Sequence, residues 1–280
     1  ALMCAVLMTG CGAAGPPAGS PDDPVGSRVS VPRSPTSPTS PAVGASPVSS
    51  RCVHPVIALD PGHNPVRTSG FDPVTGAAMI DYPNGAEGPD VFAVAVRVRD
   101  SLVRNGYRVI LLKDPVDENI TYRGRVDRAR RAGAVLALSV HSSPGVNAVF
   151  PQRVGLYREG VGADGRTVRV EFTDARTARI SQDAAARIAR ARAGVERHRV
   201  MVTDNDFGGR APLWSGNIPI ISLISPEVPW VYNEYSGGTD GGSIALRPSE
   251  IAAYAAGLAD GVRSAVPVDA SGCARPAPVR

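Results

Sequence analysis

Lysine is almost missing from this chain: of its 30 basic residues only Lys113 is not arginine. The net charge of +4 is therefore carried by guanidinium groups, a bias that reflects genome composition before any binding code. A modest positive balance suits an anionic polymer such as a cell wall. No aromatic-interleaved basic stripe or base-reading motif accompanies it, so nothing points to nucleic acid. No apolar run reaches the roughly 20 residues that a spanning helix needs. Cysteine and histidine are scarce, four of each, which makes the position of each one informative.

Periodicity is also lacking over the first fifth of the chain. From Gly12 to about Ser50 the sequence is dominated by Pro, Ser, Gly, Ala, Thr and Val, including the near-repeat Ser34-Pro35-Thr36-Ser37-Pro38-Thr39-Ser40-Pro41. Such a segment buries too little apolar surface to offset its ordering entropy, so residues 12–51 read as a solvated tether. The apolar block before it, residues 1–11, reads as the end of an export signal. Its segment Leu7-Met8-Thr9-Gly10-Cys11 resembles a bacterial lipobox, with Cys11 as the residue that would carry lipid and give the only membrane attachment. An exported chain meets oxidising conditions, and domain termini often lie close together, so a Cys52–Cys273 disulfide is expected. The folded part is then one domain, 52–273, followed by a short tail, 274–280.

Within that domain strand-like and helix-like segments alternate, the signature of an α/β domain with a mostly parallel central sheet flanked by helices. Strands are predicted at Val56–Asp60, Tyr107–Leu112 and Ala134–His141, with helices at Pro89–Arg104 and from Asn119 to Ala132. A Pro-, Gly- and Asp-rich loop to about Gly88 is long enough to suggest a functional role. The middle segment suggests a hairpin, Val154–Glu159 with Val168–Phe172, and a helix, Asp174–Ala193, whose arginines at 176, 179, 187 and 190 are a solvated face. The apolar run Ile218-Pro219-Ile220-Ile221-Ser222-Leu223-Ile224 reads as a buried strand that delivers Glu227 to the sheet edge. A last helix, Pro248–Val266, buries Ile251, Tyr254, Ala255, Leu258 and Val262.

His63 and His141 each follow a predicted strand, after Asp60-Pro61-Gly62 and after Leu138-Ser139-Val140. Ligands of open α/β sheets bind outside the carboxyl ends of the strands, so both imidazoles gather at one rim. Either histidine alone reads as a hydrogen-bonded edge residue. Together they suggest a metal site with a carboxylate as third ligand. No cysteine lies near these strand ends, which disfavours a closed structural site. His54 and His198 are read as non-ligands.

These residues resemble the zinc-dependent N-acetylmuramoyl-L-alanine amidases of the Amidase_3 type. The likeness covers roughly Val53 to Val266. It is strongest at Val56-Ile57-Ala58-Leu59-Asp60-Pro61-Gly62-His63, at Ala86-Glu87 with the helix through Arg97–Leu102, and at Tyr122–Ala129 with Leu138-Ser139-Val140-His141. The resemblance implies Zn2+ held by His63, Glu87 and His141, with Asp81 and Asp90 as alternatives to Glu87. Zinc with an open fourth position lowers the pKa of water toward about 7 and polarises the scissile carbonyl. Glu227-Val228-Pro229-Trp230-Val231-Tyr232-Asn233 resembles the family's base-bearing run, which implies Glu227 as general base and leaves Glu234 as its alternative.

The implied activity is hydrolysis of the amide between muramic acid and L-alanine in peptidoglycan, by a monomer outside the cytoplasmic membrane or in the wall. Two rivals stand beside it. One is a non-catalytic wall-binding lipoprotein that lacks the base; the other is a zinc peptidase acting on another wall amide.

Overall fold

In chain order the elements are β1 (Val56–Pro61), β2 (Thr68–Phe71), β3 (Ala78–Asp81), α1 (Glu87–Arg104), β4 (Arg108–Leu111), α2 (Tyr122–Arg131), β5 (Leu136–Ser142) and β6 (Ala148–Pro151). They continue with β7 (Tyr157–Val161), β8 (Thr167–Glu171), α3 (Ala175–Glu196), β9 (Met201–Val202), β10 (Trp214–Gly216), α4 (Ile220–Leu223), β11 (Trp230–Tyr235) and α5 (Pro248–Ala265). This computed structural model describes residues 52–205, 214–236 and 245–274. The expected export signal 1–11 with Cys11, the expected tether 12–51 and residues 275–280 lie outside the described residues. Among those described, no helix is long and apolar enough to cross a membrane.

The central sheet runs β4-β1-β5-β11-β6-β9. Its core pairings, β1 with β4 and β5, and β5 with β11, are parallel; only β6 runs against β11. Parallel strands covered on both faces need apolar side chains on both, and β1 and β5 are buried along their whole length. Alternation sorts their side chains into two layers. Ile57, Leu59, Leu136, Leu138, Val140 and Val231 point toward α1, α3 and α5. Val56, Ala58, Ala137 and Trp230 face α2, α4 and the small sheet β10-β7-β8. Each large apolar side chain removed from water here contributes about 1.5–3 kcal/mol.

On the first face α3 and α5 pack closely because two α5 glycines leave room. A Cβ on Gly257 would stand 2.9 Å from the Cα of Arg192, and one on Gly261 would stand 2.7 Å from the Cα of Ile188. The gap holds a charged side chain that the pattern of apolar residues did not announce. Arg192 is fully buried. Its guanidinium pairs with Glu196 at 2.7 Å, donates to the backbone oxygen of Glu234 at 2.9 Å and lies over the Tyr254 ring. The four arginines expected on the solvated face of α3 are exposed.

One predicted strand is overturned. The run 218–224 contains the single helical turn α4, capped by Pro219, and the strand lies beyond it at Trp230–Tyr235. A short apolar run bounded by prolines has no periodicity with which to choose between buried helix and buried strand. Gln152 then fastens the turn to the sheet: its amide nitrogen donates to the backbone oxygens of Ser222 and Ser225, and its side-chain oxygen accepts from the backbone of Trp230. The long loop after β1 contains a second unpredicted element, the β2-β3 hairpin. The hairpin of the middle segment forms as β7 with β8, with Tyr157 opposite Glu171. Cys52 and Cys273 are disulfide-bonded, with Cα atoms 5.1 Å apart, and close the two ends of the domain on each other.

Candidate metal centre

The carboxyl rim of the sheet is built by β1, β5 and β11. His63 follows β1 by two residues, and His141 is the next-to-last residue of β5. Their ring centroids are 5.0 Å apart. Between them reaches Glu87, the first residue of α1, from the loop side of the same rim. Its carboxylate oxygens lie 3.0 Å from His63 Nε2 and 3.2 Å from His141 Nδ1. These three residues form a group whose ligand atoms all lie within 4.8 Å of one another, compatible with a bound metal ion.

Each member is held from behind. Glu87 accepts from the backbone nitrogen of Ser142 at 2.8 Å and from the Asn84 side chain. Pro89 does not interrupt α1, because the first-turn N–H that it lacks has no partner inside a helix in any case. The His63 Nδ1 faces the backbone oxygen of Tyr82 at 2.9 Å and the Asp81 carboxylate at 3.6 Å, so Nε2 is the nitrogen turned to the centre. His141 stacks on Tyr232 at 4.4 Å, and its backbone oxygen accepts from the Tyr254 hydroxyl. Gly62 is required by contact: a Cβ there would sit 2.2 Å from His141 Cε1.

Beneath the three lies a buried charge network. Arg125 is wholly inaccessible and donates to Asp60, Asp81, Asn64 and the backbone oxygen of Pro61. Asp60 also accepts from Ser139 Oγ, which in turn accepts from the indole nitrogen of Trp230. Two carboxylates around one guanidinium leave every buried charge paired, the condition under which burying them is tolerable.

Glu234 completes the rim. It stands opposite His141 in the parallel register of β11 and β5. Its Oε2 is shielded from solvent and has no hydrogen-bond partner among the described residues. A buried polar atom left without a partner needs an explanation, and one turned to a rim with two imidazoles and a carboxylate suits an ion or water. The donor set itself, two imidazole nitrogens and one carboxylate without thiolate, is a catalytic zinc type that keeps a position open. The residues present therefore fit a divalent metal.

The charges respond to each other strongly. Burial works against a charged His63, yet hydrogen bonding to the Asp81 and Glu87 carboxylates outweighs it and raises the imidazole from 6.5 to about 10. Burial likewise opposes a charged Glu87, but its hydrogen bonds with His141 and His63 hold it well below the usual carboxylate range. Glu234 goes the other way: burial raises its carboxyl to about 7, against the pull of His141.

Neither a family model nor a curated protein matches the chain. Solved structures do. The N-acetylmuramyl-L-alanine amidase of Mycobacterium smegmatis superposes with a TM-score of 0.50 at 15% identity, over 75% of this chain and 96% of that one. The chain shares this amidase's fold. The corresponding enzyme of Mycobacterium abscessus, in its apo form, gives 0.48 at 14% identity over 75% and 98%. The catalytic domain of an amidase from Bacillus (Paenibacillus) polymyxa var. colistinus gives 0.47 at 17% identity over 75% and 97%.

Within this amidase fold, the sequence places His63, Glu87 and His141 together at the rim, and the structure brings them into contact. The two alternative carboxylates are engaged elsewhere. Asp81 pairs with Arg125 and supports His63 from its far side, while Asp90 accepts from the backbone nitrogen of Leu246. Glu227 does not join the group. It precedes β11, at the amino end of the strand, where the Pro229 oxygen accepts from Ala137 near the start of β5. Its side chain is 66% exposed and its nearest cation is Arg130, at 4.0 Å. From Glu227 to Glu234 the chain crosses the sheet, about 20 Å at the strand rise of roughly 3.3 Å per residue. The signal for Glu234 was the alternation Trp230, Tyr232, Glu234 after Pro229, which puts all three on the face that carries Ser139 and His141.

Proposed function

We propose that this chain is a zinc-dependent N-acetylmuramoyl-L-alanine amidase that hydrolyses the amide between muramic acid and the stem peptide of peptidoglycan. One observation carries the reading: His63, Glu87 and His141 converge at the carboxyl rim, and Glu234, whose buried Oε2 has no hydrogen-bond partner among the described residues, stands beside them in strand register. The fold shared with the mycobacterial amidase supports it, as does the disulfide, which belongs to an oxidising compartment outside the cytoplasm.

In the mechanism, His63 Nε2, His141 Nδ1 and a Glu87 oxygen would hold the ion. When bound, zinc supplies Lewis acidity, polarising a carbonyl and acidifying water. The protein's own groups do the rest. Tyr82 and Asp81 keep His63 in the tautomer that leaves Nε2 free. The Glu234 carboxylate accepts the proton of the attacking water and delivers it to the departing amine of L-alanine. Burial aids this role by raising the carboxyl toward the working pH, where a group is effective in both directions. The Tyr232 ring fixes the imidazole of His141, and Tyr232 and Glu234 share one face of β11, so base and ligand keep their spacing.

Digestion of muropeptides followed by mass spectrometry tests this. Free stem peptides with an unsubstituted L-alanine amine are expected, and their release stops with chelator and in Glu234→Gln. Intact muropeptides after incubation with zinc-loaded protein would overturn the reading, and fragments cut within the stem peptide would reassign the chain as a peptidase.

A further inference from the structure

His63 is one of two non-glycine residues in the described chain with a positive φ, at 61°. An L-residue with a long side chain reaches the left-handed region only when its surroundings hold it there. Here the backbone oxygens of Gly62 and His63 point to a single cation. The Lys113 ammonium donates to the His63 oxygen at 2.6 Å and to the Gly62 oxygen at 3.1 Å. Lys113 is 1% exposed. It follows β4, the edge strand beside β1, and extends under the turn that ends in the ligand. Arg125 reaches the same His63 oxygen only at 3.4 Å, its guanidinium being committed to Asp60, Asn64 and Asp81.

We infer that Lys113, the only lysine of the chain, is a positioning residue for the metal centre: its ammonium on the Gly62 and His63 carbonyls holds the left-handed turn that aims His63 Nε2 at Glu87 and His141. The residue type is apt. Two adjacent carbonyl oxygens need two donors diverging from one point, and an ammonium presents three around a single nitrogen. An apolar side chain would leave the Gly62 carbonyl without this donor and the His63 carbonyl with only the 3.4 Å contact to Arg125, and the turn would relax toward ordinary φ, swinging the imidazole away from Glu87. The charge is also balanced locally, since Lys113 and Arg125 together face Asp60 and Asp81. This inference rests on the proposal that His63, Glu87 and His141 hold a metal.

Two measurements on the full chain test it. Because Lys113 is unique, labelling with 15N-lysine yields one side-chain ammonium signal; it is expected to exchange slowly with water and to move when Zn2+ is added. A fast-exchanging signal indifferent to Zn2+ would overturn the role without need of a variant. Lys113→Met is expected to keep its far-ultraviolet circular dichroism and to bind Zn2+ about 10- to 100-fold more weakly by chelator competition, the usual effect of losing a group that orients a ligand. Its Co2+ derivative should show altered d–d absorption. Val98→Ala, a core truncation under the same sheet, should lower the melting temperature and leave Zn2+ affinity unchanged. Wild-type affinity in Lys113→Met would sink the positioning role alone, whereas wild-type protein that takes up no zinc would sink the centre and this role with it.

Discussion

Glu234 on β11 and His141 on β5 stand side by side in a parallel register, seven residues downstream of the acid that sequence resemblance favoured. Because the strands are parallel, this pairing puts the Glu234 carboxylate on the same rim and the same face as the imidazole. Glu234→Gln is therefore expected to reduce amide hydrolysis by about 10²- to 10⁴-fold, the usual worth of a positioned base, with zinc affinity nearly unchanged. Glu227→Gln should leave the rate within about twofold, as expected for an exposed surface position. The same assay on both variants decides between the two acids.

The pH profile follows from the same carboxyl. It must be ionised to accept a proton, and burial raises it to about 7, so activity should rise with pH along an acid limb. A divalent ion at the rim favours the charged form and moves that limb below about 7. Steady-state rates between pH 4 and 8 on zinc-loaded protein would show it; a rate falling as pH rises through this range would contradict the assignment.

Gly62→Ala should fold and fail to hold zinc. The added Cβ would lie 2.2 Å from His141 Cε1, and the ring cannot yield on its other side because Tyr232 is stacked against it. A loss of affinity of at least about tenfold, the scale of disturbed ligand orientation, is expected by chelator competition. Unchanged affinity would mean that the turn and the imidazole move independently.

Arg125→Met removes the guanidinium shared by Asp60 and Asp81 and leaves two carboxylates in the interior. Breaking such a buried arrangement from one side costs about 3–5 kcal/mol, to be read from urea unfolding of the protein stripped of metal. A loss under about 1 kcal/mol, the range of an exposed pair, would show that water reaches the network.

Removing the Cys52–Cys273 bridge by the double serine variant should lower stability by about 2–5 kcal/mol, since the bond closes a loop of nearly the whole domain. Thermal unfolding with and without reductant checks it; wild-type protein should fall to the variant's midpoint when reduced.

The alternating pattern of β1, α1, β5 and α5 was legible in the chain itself, because an apolar run or a stripe of period 3.6 determines which face of each element is buried whatever else surrounds it. The two histidines were legible for the same reason: each sits where a strand that can only be buried comes to an end. What one dimension could not decide was which acid stands at the rim. Ile218–Ile224 is apolar enough for a strand or a buried turn, and only packing against Gln152 and the prolines around it makes it α4 and moves the strand to Trp230–Tyr235. The shift leaves Glu227 at the amino end of β11 and puts Glu234 at the rim. Buried Arg192 and Lys113 were invisible for a related cause: a charge can enter the interior only where several partners meet it, and those partners come from segments that the fold alone brings together.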